Sequence, residues 1–289
     1  IEPSTGEILA MVNKPDYNPN ILNGQERSKN YRRLLVDPRK PLFNRAIKGQ
    51  YPPGSTFKTV MAAIALQEGI VVDSTEYSCQ GGYRMGNLRL GCHPHESPLD
   101  LRNSIRISCN AYYCKLYRAF IDAPKFGGVR NGYTKLAEHW HSFGLGSPLG
   151  IDLPGEKGGN TPTVETLDKR HGTSWKSSTI ISMSIGQGEI LLTPLQMANV
   201  ACIMANRGHY YTPHLVRGIG PKGTKPKQFK EKHQTTVDKE HFEVVIEGME
   251  MVTKPGGTAG RTGIEGIVIC GKTGTAQNPH GEDHSVFIA

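Results

Sequence analysis

A serine and a lysine three positions apart, Ser55 and Lys58, are the residues of this chain best suited to covalent chemistry. Apolar positions from Phe57 to Leu66 recur with a helical period, which predicts that both side chains share one face of a helix beginning near Ser55. A serine hydroxyl attacks a carbonyl only after a base removes its proton, and a desolvated lysine can be that base. We therefore predict that Ser55 is a nucleophile and Lys58 its general base.

A hydroxyl and an amide stand one residue apart at Ser108 and Asn110, at the predicted start of another helix. Each motif taken alone is common. A Ser-x-x-Lys is also typical of a serine helix cap followed by a solvated lysine, and a second Ser-x-Asn occurs at residues 28–30 in a predicted loop. The two motifs gain weight because each lies on the element that its chemistry needs.

The only Lys-Thr-Gly of the chain, Lys272-Thr273-Gly274, lies on a predicted strand and is followed by Thr275. The edge of a strand can pair with an extended peptide, and a glycine lets that peptide lie close. A lysine ammonium and threonine hydroxyls suit a terminal carboxylate. This segment is therefore predicted to bind the carboxyl end of a peptide beside the nucleophile.

Ser-x-x-Lys, Ser-x-Asn and Lys-Thr-Gly, in this order, resemble the active-site set of the penicillin-recognising serine enzymes. Residues 51–58 resemble the nucleophile segment of class B penicillin-binding proteins, and residues 150–156, 186–188 and 271–279 with His284 resemble other segments of that family. The resemblance covers nearly the whole chain. It favours the cell-elongation branch of the family.

The resemblance implies a peptidoglycan D,D-transpeptidase whose donor is a stem peptide ending in D-alanyl-D-alanine. Ser55 would attack the penultimate carbonyl, and Ser108, supported by Lys272, would pass a proton to the departing D-alanine. Asn110 would bind the donor amide, while Thr273 and Thr275 would hold its carboxylate. An amine of a second stem peptide would take the acyl group, no cofactor or metal would be needed, and β-lactams would trap the serine. A glycosyltransferase is an expected partner.

Two other functions use the same motifs. A β-lactamase or D,D-carboxypeptidase would transfer the acyl group to water, although the Glu-x-x-Leu-Asn segment of class A β-lactamases does not occur in the sequence. A β-lactam sensor module would be acylated without further metabolism. The three motifs alone do not separate these possibilities.

The predicted fold is of the α/β (α+β) class, similar to that of penicillin-binding proteins and β-lactamases. Strand-like segments at residues 1–12 and 264–289 predict an antiparallel sheet built from both chain ends, and helical periods predict a helical subdomain inserted over approximately residues 55–205. Because the chain starts and stops within predicted strands, we expect residues 1–289 to be a transpeptidase domain fragment with a truncated sheet. The resemblance implies an N-terminal membrane anchor elsewhere and a periplasmic location.

Charge and hydropathy exclude some classes of function. Lys and Arg number 34 against 26 Asp and Glu, a formal net charge of +8, and much of the excess falls in residues 222–232. That segment is predicted to be a solvated loop, because only Phe229 could stack on a base, and we predict no nucleic-acid partner. No stretch is long and apolar enough for a transmembrane helix.

The cysteines leave one question open. Cys79 and Cys92 bracket a glycine-rich turn, and His93 and His95 follow, so a metal site or a disulfide could form there. The spacing matches no strong zinc pattern, and we predict no metal. Some relatives in this family carry a zinc site near the active site, but the resemblance does not assign its ligands position by position to Cys79, Cys92, His93 or His95. The other cysteines lie in apolar runs and are predicted to be small core residues: Cys109, Cys114, Cys202 and Cys270.

Overall fold

A computed structural model of the protein describes residues 1–86, 88–278 and 281–289. In these residues the α-helices are α1 (Arg27–Val36), α2 (Arg45–Lys48), α3 (Phe57–Gln67), α4 (Leu101–Ile107), α5 (Asn110–Ile121), α6 (Val129–Ser142), α7 (Val164–His171), α8 (Pro194–Ala205) and α9 (Lys239–Thr253). The strands are β1 (Gly82–Met85), β2 (Leu88–Gly91), β3 (His209–Tyr211), β4 (Lys232–Gln234), β5 (Lys272–Ala276) and β6 (His284–Ile288). They pair as three antiparallel ribbons, β1 with β2, β3 with β4, and β5 with β6.

Helix α3 is the central element of the core. Every residue from Phe57 to Leu66 is buried, so the helix is enclosed on all sides rather than presenting a polar face to solvent. Its first residue, Phe57, packs against Trp140 of α6, and their ring centroids are 5.4 Å apart. Each buried apolar side chain of this size contributes about 1.5–3 kcal/mol to folding. The helix that follows Ser55 is therefore held firmly.

Close packing of α4 against α9 fixes the turn that carries the second motif. A Cβ added to Gly248 of α9 would lie 2.8 Å from the Ile105 side chain, so only glycine allows this approach. Helix α4 ends at Ile107, and α5 begins two residues beyond Ser108, at Asn110. The short connection between α4 and α5 therefore fixes the positions of Ser108 and Asn110 relative to each other.

The mixed α/β class with small antiparallel sheets is confirmed, but the sheet is not built from both chain ends in the part of the chain that the structure describes. The predicted turn in residues 1–12 forms, with the Glu2 N–H donating to the Glu7 carbonyl at 2.8 Å. No regular strand follows it, because Glu7 pairs only through an isolated bridge with His214. The predicted strand at residues 267–270 is also wrong. It finds no neighbouring strand, and Val268 is 71% exposed.

None of the helices in the described residues combines the length and hydropathy needed to span a bilayer.

Candidate active site

Ser55 lies on the single turn of 3-10 helix, Gly54–Thr56, that leads into α3. The backbone reaches this turn through a left-handed Gly54, whose φ is +56°, and the Gly54 N–H donates to the Gly186 carbonyl at 2.9 Å. Ser55 is half-buried and lines a cleft of about 980 Å³. The predicted nucleophile therefore lies at the N-terminus of a buried helix and opens onto solvent.

Gly54 also allows the turn that carries Ser55 to lie close to strand β5. A Cβ at position 54 would lie 2.7 Å from the Thr275 carbonyl oxygen, closer than side-chain carbons approach backbone. From the other side, a Cβ on Gly274 would lie 2.9 Å from the Pro53 carbonyl oxygen. Two glycines thus bring the Ser55 turn and β5 into direct backbone contact.

We expect Gly54→Ala to lower both stability and acylation, and Gly69→Ala to lower stability alone. Both glycines have a positive φ, +56° and +60°, so both variants incur the roughly 1–2 kcal/mol strain of a left-handed L-residue. Only position 54 adds a clash, because nothing lies within 4 Å of a Cβ at position 69. Denaturant unfolding and the acylation rate with a fluorescent penicillin measure the two effects. Equal losses of acylation in the two variants would contradict this steric role.

Lys58 is fully buried and donates three hydrogen bonds. Its Nζ lies 2.7 Å from the Ser108 carbonyl oxygen, 2.7 Å from Asn110 Oδ1 and 3.3 Å from Ser108 Oγ. Three acceptors use all three protons of an ammonium, and none of these bonds, among the described residues, goes to Ser55 Oγ. Burial lowers the pKa of Lys58 to about 8, so the neutral form that can accept a proton is accessible near neutral pH.

Lys272 donates a hydrogen bond to the same Ser108 hydroxyl. Its Nζ donates to Ser108 Oγ at 2.9 Å and to the Thr273 carbonyl at 2.9 Å, and its side chain is fully buried. Burial, and then repulsion by Lys58, holds the pKa of Lys272 well below its usual range. Ser108 Oγ therefore bridges two buried amines, an arrangement that can pass a proton between them.

The connection between α4 and α5 orients the second motif. Ser108 adopts a left-handed conformation, with φ +62°, that ends α4 and turns its hydroxyl toward the lysines. The Asn110 side chain is held at both ends, since Nδ2 donates to the Gly91 carbonyl at 2.7 Å and Oδ1 accepts from Lys58. The structure thus brings Lys58, Ser108, Asn110 and Lys272 together as the sequence predicts.

Strand β5 forms one wall of the cleft. Its residues alternate in burial, so Lys272 and Gly274 lie inside while Thr273 and Thr275 are accessible on the cleft side. The Thr273 hydroxyl is 2.8 Å from that of Thr258. Two accessible hydroxyls beside a buried lysine suit a carboxylate ligand. Pro279, at the end of the 271–279 segment, lies outside the described residues.

Two parts of the cleft were missed by the sequence analysis. A glycine-rich loop after α9, residues 255–262, forms a wall that adjoins β5, and its three glycines were the available signal. His93, considered above with the cysteines, lines the cleft instead. His284 does contribute, because its ring lies 5.1 Å from that of Tyr51 and ties β6 to the nucleophile segment.

A cluster of potential metal ligands lies directly behind the Ser-x-Asn motif. One ligand atom from each of Cys79, Cys92, His95 and Cys109 lies within 4.8 Å of the other three. Cys109, expected only as a small core residue, is both buried and part of this cluster. Three thiols and an imidazole are a donor set that suits tetrahedral Zn²⁺, and a zinc ion bound there would supply structural support to the adjoining motif. The prediction that no metal binds stays untested.

Comparison with known proteins agrees with this geometry. Residues 1–288 match the family model described as penicillin binding protein transpeptidase domain. The peptidoglycan D,D-transpeptidase MrdA of Acinetobacter baumannii is 33% identical over 286 residues, which covers 96% of this chain and 40% of that protein. PbpA of Mycolicibacterium smegmatis is 33% identical over 317 residues, covering 100% of this chain and 57% of that protein. The chain thus spans only part of the length of the curated relatives it matches.

Solved structures show the same similarity. The crystal structure of Pseudomonas aeruginosa PBP2 in complex with WCK 5153 superposes with a TM-score of 0.83 at 30% identity, covering 99% of this chain and 63% of that one. The ceftriaxone acyl-enzyme of penicillin-binding protein A from M. tuberculosis gives a TM-score of 0.77 at 28% identity, with coverages of 99% and 63%.

The fold is that of the penicillin-recognising serine enzymes, and Lys58, Ser108 and Lys272 form one hydrogen-bonded group beside the cleft that Ser55 lines. This chain belongs to the penicillin-binding protein transpeptidase domain family, and its similarity is to class B members of the PBP2 type.

Proposed function

We propose that this chain is the catalytic domain of a peptidoglycan D,D-transpeptidase of the cell-elongation type. The observation that carries the proposal is Ser108 Oγ lying 3.3 Å from Lys58 Nζ and 2.9 Å from Lys272 Nζ, behind a nucleophile that opens onto the cleft. Two buried amines joined by one hydroxyl suit a reaction that first removes and then delivers a proton.

Acylation uses these groups in order. Neutral Lys58 accepts the Ser55 proton while Ser55 Oγ attacks the penultimate carbonyl of a D-alanyl-D-alanine stem peptide. The backbone N–H groups of Ser55 and Thr275 stabilise the oxyanion. The proton then passes through Ser108 to the nitrogen of the departing D-alanine, and the acyl-enzyme is left on Ser55.

Binding of the donor is assigned to the cleft walls. Thr273 and Thr275 hold the terminal carboxylate, and the peptide backbone lies along β5 at Gly274, which also lines the cleft. Asn110 binds the donor amide, because its side chain is fixed at both ends beside the cleft. An amine of a neighbouring stem then attacks the acyl carbonyl and gives its proton to Lys58. The ester bond to Ser55 breaks, Ser55 Oγ takes that proton back from Lys58, and the cross-link amide is released.

Location and partners follow from the same proposal. Peptidoglycan is cross-linked outside the cytoplasmic membrane, so we assign the domain to the periplasmic side, anchored by a segment outside this chain. A solved peptidoglycan synthase complex that coordinates polymerization and crosslinking is similar to this chain, with a TM-score of 0.82. The complex of Helicobacter pylori PBP2 with MreC is similar as well, with a TM-score of 0.77. We propose a glycosyltransferase as a partner on this basis.

The penicillin adduct on Ser55 is expected to persist for hours. Hydrolysis needs a base aimed at a water beside the acyl carbonyl, and no Asp or Glu occurs among the described residues that line the cleft. Deacylation should therefore be far slower than the median enzyme turnover of about 10 per second. Intact-protein mass spectrometry after removal of excess drug measures the lifetime, and peptide mapping locates the adduct.

The same experiment separates the alternatives. Loss of the adduct within seconds, with release of hydrolysed penicillin, would replace the transpeptidase with a β-lactamase. A stable adduct in a chain that, assayed without penicillin, transfers no acyl group from a D-alanyl-D-alanine stem peptide to an added amine would favour a β-lactam sensor. Modification at a serine other than Ser55 would overturn the assignment of the nucleophile.

A further inference from the structure

We propose that Arg261, which lines the cleft, binds a carboxylate at the end where the D-alanine of the donor departs, and thereby selects acceptor amines whose α-carbon carries a carboxylate. The proposal rests on the transpeptidase function proposed above and deepens it, because it names the chemical class of the acceptor. It makes Arg261 a residue that determines specificity, outside the three motifs that the sequence analysis singled out.

The accessible surface of the cleft carries a single permanent charge among the described residues. Arg261 is the only Lys or Arg that lines it, and no Asp or Glu lies there to neutralise the charge. The Arg261 side chain is exposed and forms no hydrogen bond or ion pair with any described residue. A guanidinium group presents five N–H donors in a planar fork that matches a carboxylate. The cleft therefore offers an unneutralised cation to an anionic ligand.

Lys272 is not available for this role. The sequence analysis assigned its ammonium to the terminal carboxylate, but the side chain is fully buried and does not line the cleft. Its Nζ instead donates to Ser108 Oγ and to the Thr273 carbonyl, and burial holds its pKa well below the usual range. The Thr273 and Thr275 hydroxyls are neutral donors, which bind a carboxylate more weakly than a charged donor does. A carboxylate held by these threonines therefore lacks a cationic partner unless Arg261 supplies it.

The loop that carries Arg261 is fixed beside Thr273. The Thr258 hydroxyl lies 2.8 Å from the Thr273 hydroxyl, which joins the loop to the start of β5. The next residues form a tight turn, because the Thr262 N–H and hydroxyl both donate to the Ala259 carbonyl, at 3.0 and 2.8 Å. Arg261 lies in this turn. The geometry thus places a cation on the wall that adjoins the hydroxyls proposed to hold the donor carboxylate.

Acyl transfer brings the acceptor to the same place. By microscopic reversibility, the acceptor nitrogen attacks the acyl carbonyl along the path by which the D-alanine nitrogen left. The amine proton passes through Lys58 to Ser55 Oγ as the ester bond breaks and the new amide forms. An amine with a carboxylate on its α-carbon then places that carboxylate where the D-alanine carboxylate lay, beside Thr273 and Arg261. A simple alkyl amine leaves the Arg261 charge unpaired.

The acceptor test lets two amines compete for one acyl-enzyme. The purified chain receives a D-alanyl-D-alanine stem peptide with equal concentrations of isotope-labelled D-alanine and D-alaninamide, and mass spectrometry measures the initial ratio of the two products. Arg261→Gln should lower the ratio of D-alanine product to D-alaninamide product about tenfold, a loss typical of a hydrogen bond to a charged group. Because both amines attack the same acyl-enzyme, effects on the donor and the different basicities of the amines cancel in the comparison with the wild type.

A second measurement does not need acyl transfer. The carboxylate of benzylpenicillin lies on the carbon next to the ring nitrogen that departs, as in D-alanine, and its methyl ester lacks the charge. Arg261→Gln should slow acylation of Ser55 by benzylpenicillin about tenfold, and acylation by the methyl ester by less than about twofold. Arg261→Lys should keep an intermediate preference in both measurements, because a lysine retains the charge but not the planar fork.

Arg32→Gln is the matched control. Arg32 is an exposed arginine of α1, outside the cleft, whose side chain also forms no hydrogen bond or ion pair with the described residues. This variant should match the wild type in both ratios. All the variants should keep the wild-type thermal midpoint, because none of them removes a contact within the described part of the chain.

Three results would count against the proposal in different ways. An Arg261→Gln chain with wild-type ratios in both measurements would overturn it. A change in the penicillin ratio alone would confine Arg261 to the donor carboxylate and overturn the selection of the acceptor. Ser55 would still carry its penicillin adduct in both cases. A wild-type chain that transfers its acyl group to neither amine would instead overturn the transpeptidase function, and the acceptor preference with it.

Discussion

Replacing Lys58 by Arg is expected to lower the rate of penicillin acylation by about a thousandfold, within the range typical for loss of a general base. Wild-type Lys58 has a pKa of about 8, so about one molecule in ten carries the neutral amine at pH 7. An arginine keeps the positive charge at every accessible pH and cannot take the Ser55 proton. The measurement is the second-order acylation rate with a fluorescent penicillin, followed over time.

Two further variants make this result interpretable. Lys58→Met removes the base without adding bulk to a fully buried site, so a similar loss in both variants, with thermal midpoints retained, assigns the loss to chemistry rather than to folding. Lys115→Arg is the matched control, because Lys115 is half-buried on α5 and donates to the Ser78 carbonyl at 2.8 Å, away from the nucleophile. Acylation by Lys58→Arg within about tenfold of the wild type would contradict the general-base role.

The sequence predicts which candidate catalytic residues lie together, because the spacing within each motif is short and the elements that carry the motifs are strongly patterned. Ser55 and Lys58 lie on one helix, and Ser108 and Asn110 lie on one tight connection, so local structure alone places each pair. The contact between these residues and Lys272 depends on packing between distant parts of the chain, which the hydrophobic periodicity of the sequence cannot show. The order of the motifs, and the family it resembles, supplied that step.

The parts that sequence reasoning missed depend on partners distant in the chain. The strand expected at residues 267–270 has apolar residues but pairs only through an isolated bridge between Ile267 and Ile264, so pattern alone misassigned it. Cys109 looked like a core residue because it lies in an apolar run, and only the folded β1–β2 ribbon brings Cys79 and Cys92 to it. A cluster assembled from three segments leaves no regular spacing to recognise.

Lys272 provides a test of how the two buried amines share their protons. Burial and repulsion by Lys58 both lower the pKa of Lys272, whereas burial is the one effect that lowers that of Lys58. Lys272 is therefore expected to release its proton first, leaving Lys58 to titrate near pH 8 beside a neutral amine. Below that pH the acylation rate should rise about tenfold per pH unit, because only neutral Lys58 accepts a proton.

Lys272→Met and Lys272→Arg should then change the pH profile in different ways. Methionine removes the hydrogen bond to Ser108 Oγ, so the maximal acylation rate should fall about a hundredfold. It removes no charge at pH 8, so the rising limb of the pH profile, where the rate increases with pH, should still end near pH 8. Arginine places a permanent cation beside Lys58, disfavours its charged form and lowers its pKa, so the limb should move to lower pH. Thermal midpoints check folding in both variants, and methionine should be tolerated, because burying an apolar side chain in place of an amine is seldom destabilising. If the limb of Lys272→Met moves to higher pH instead, Lys272 is charged in the native enzyme and its repulsion, not burial alone, prepares Lys58 to act as the base.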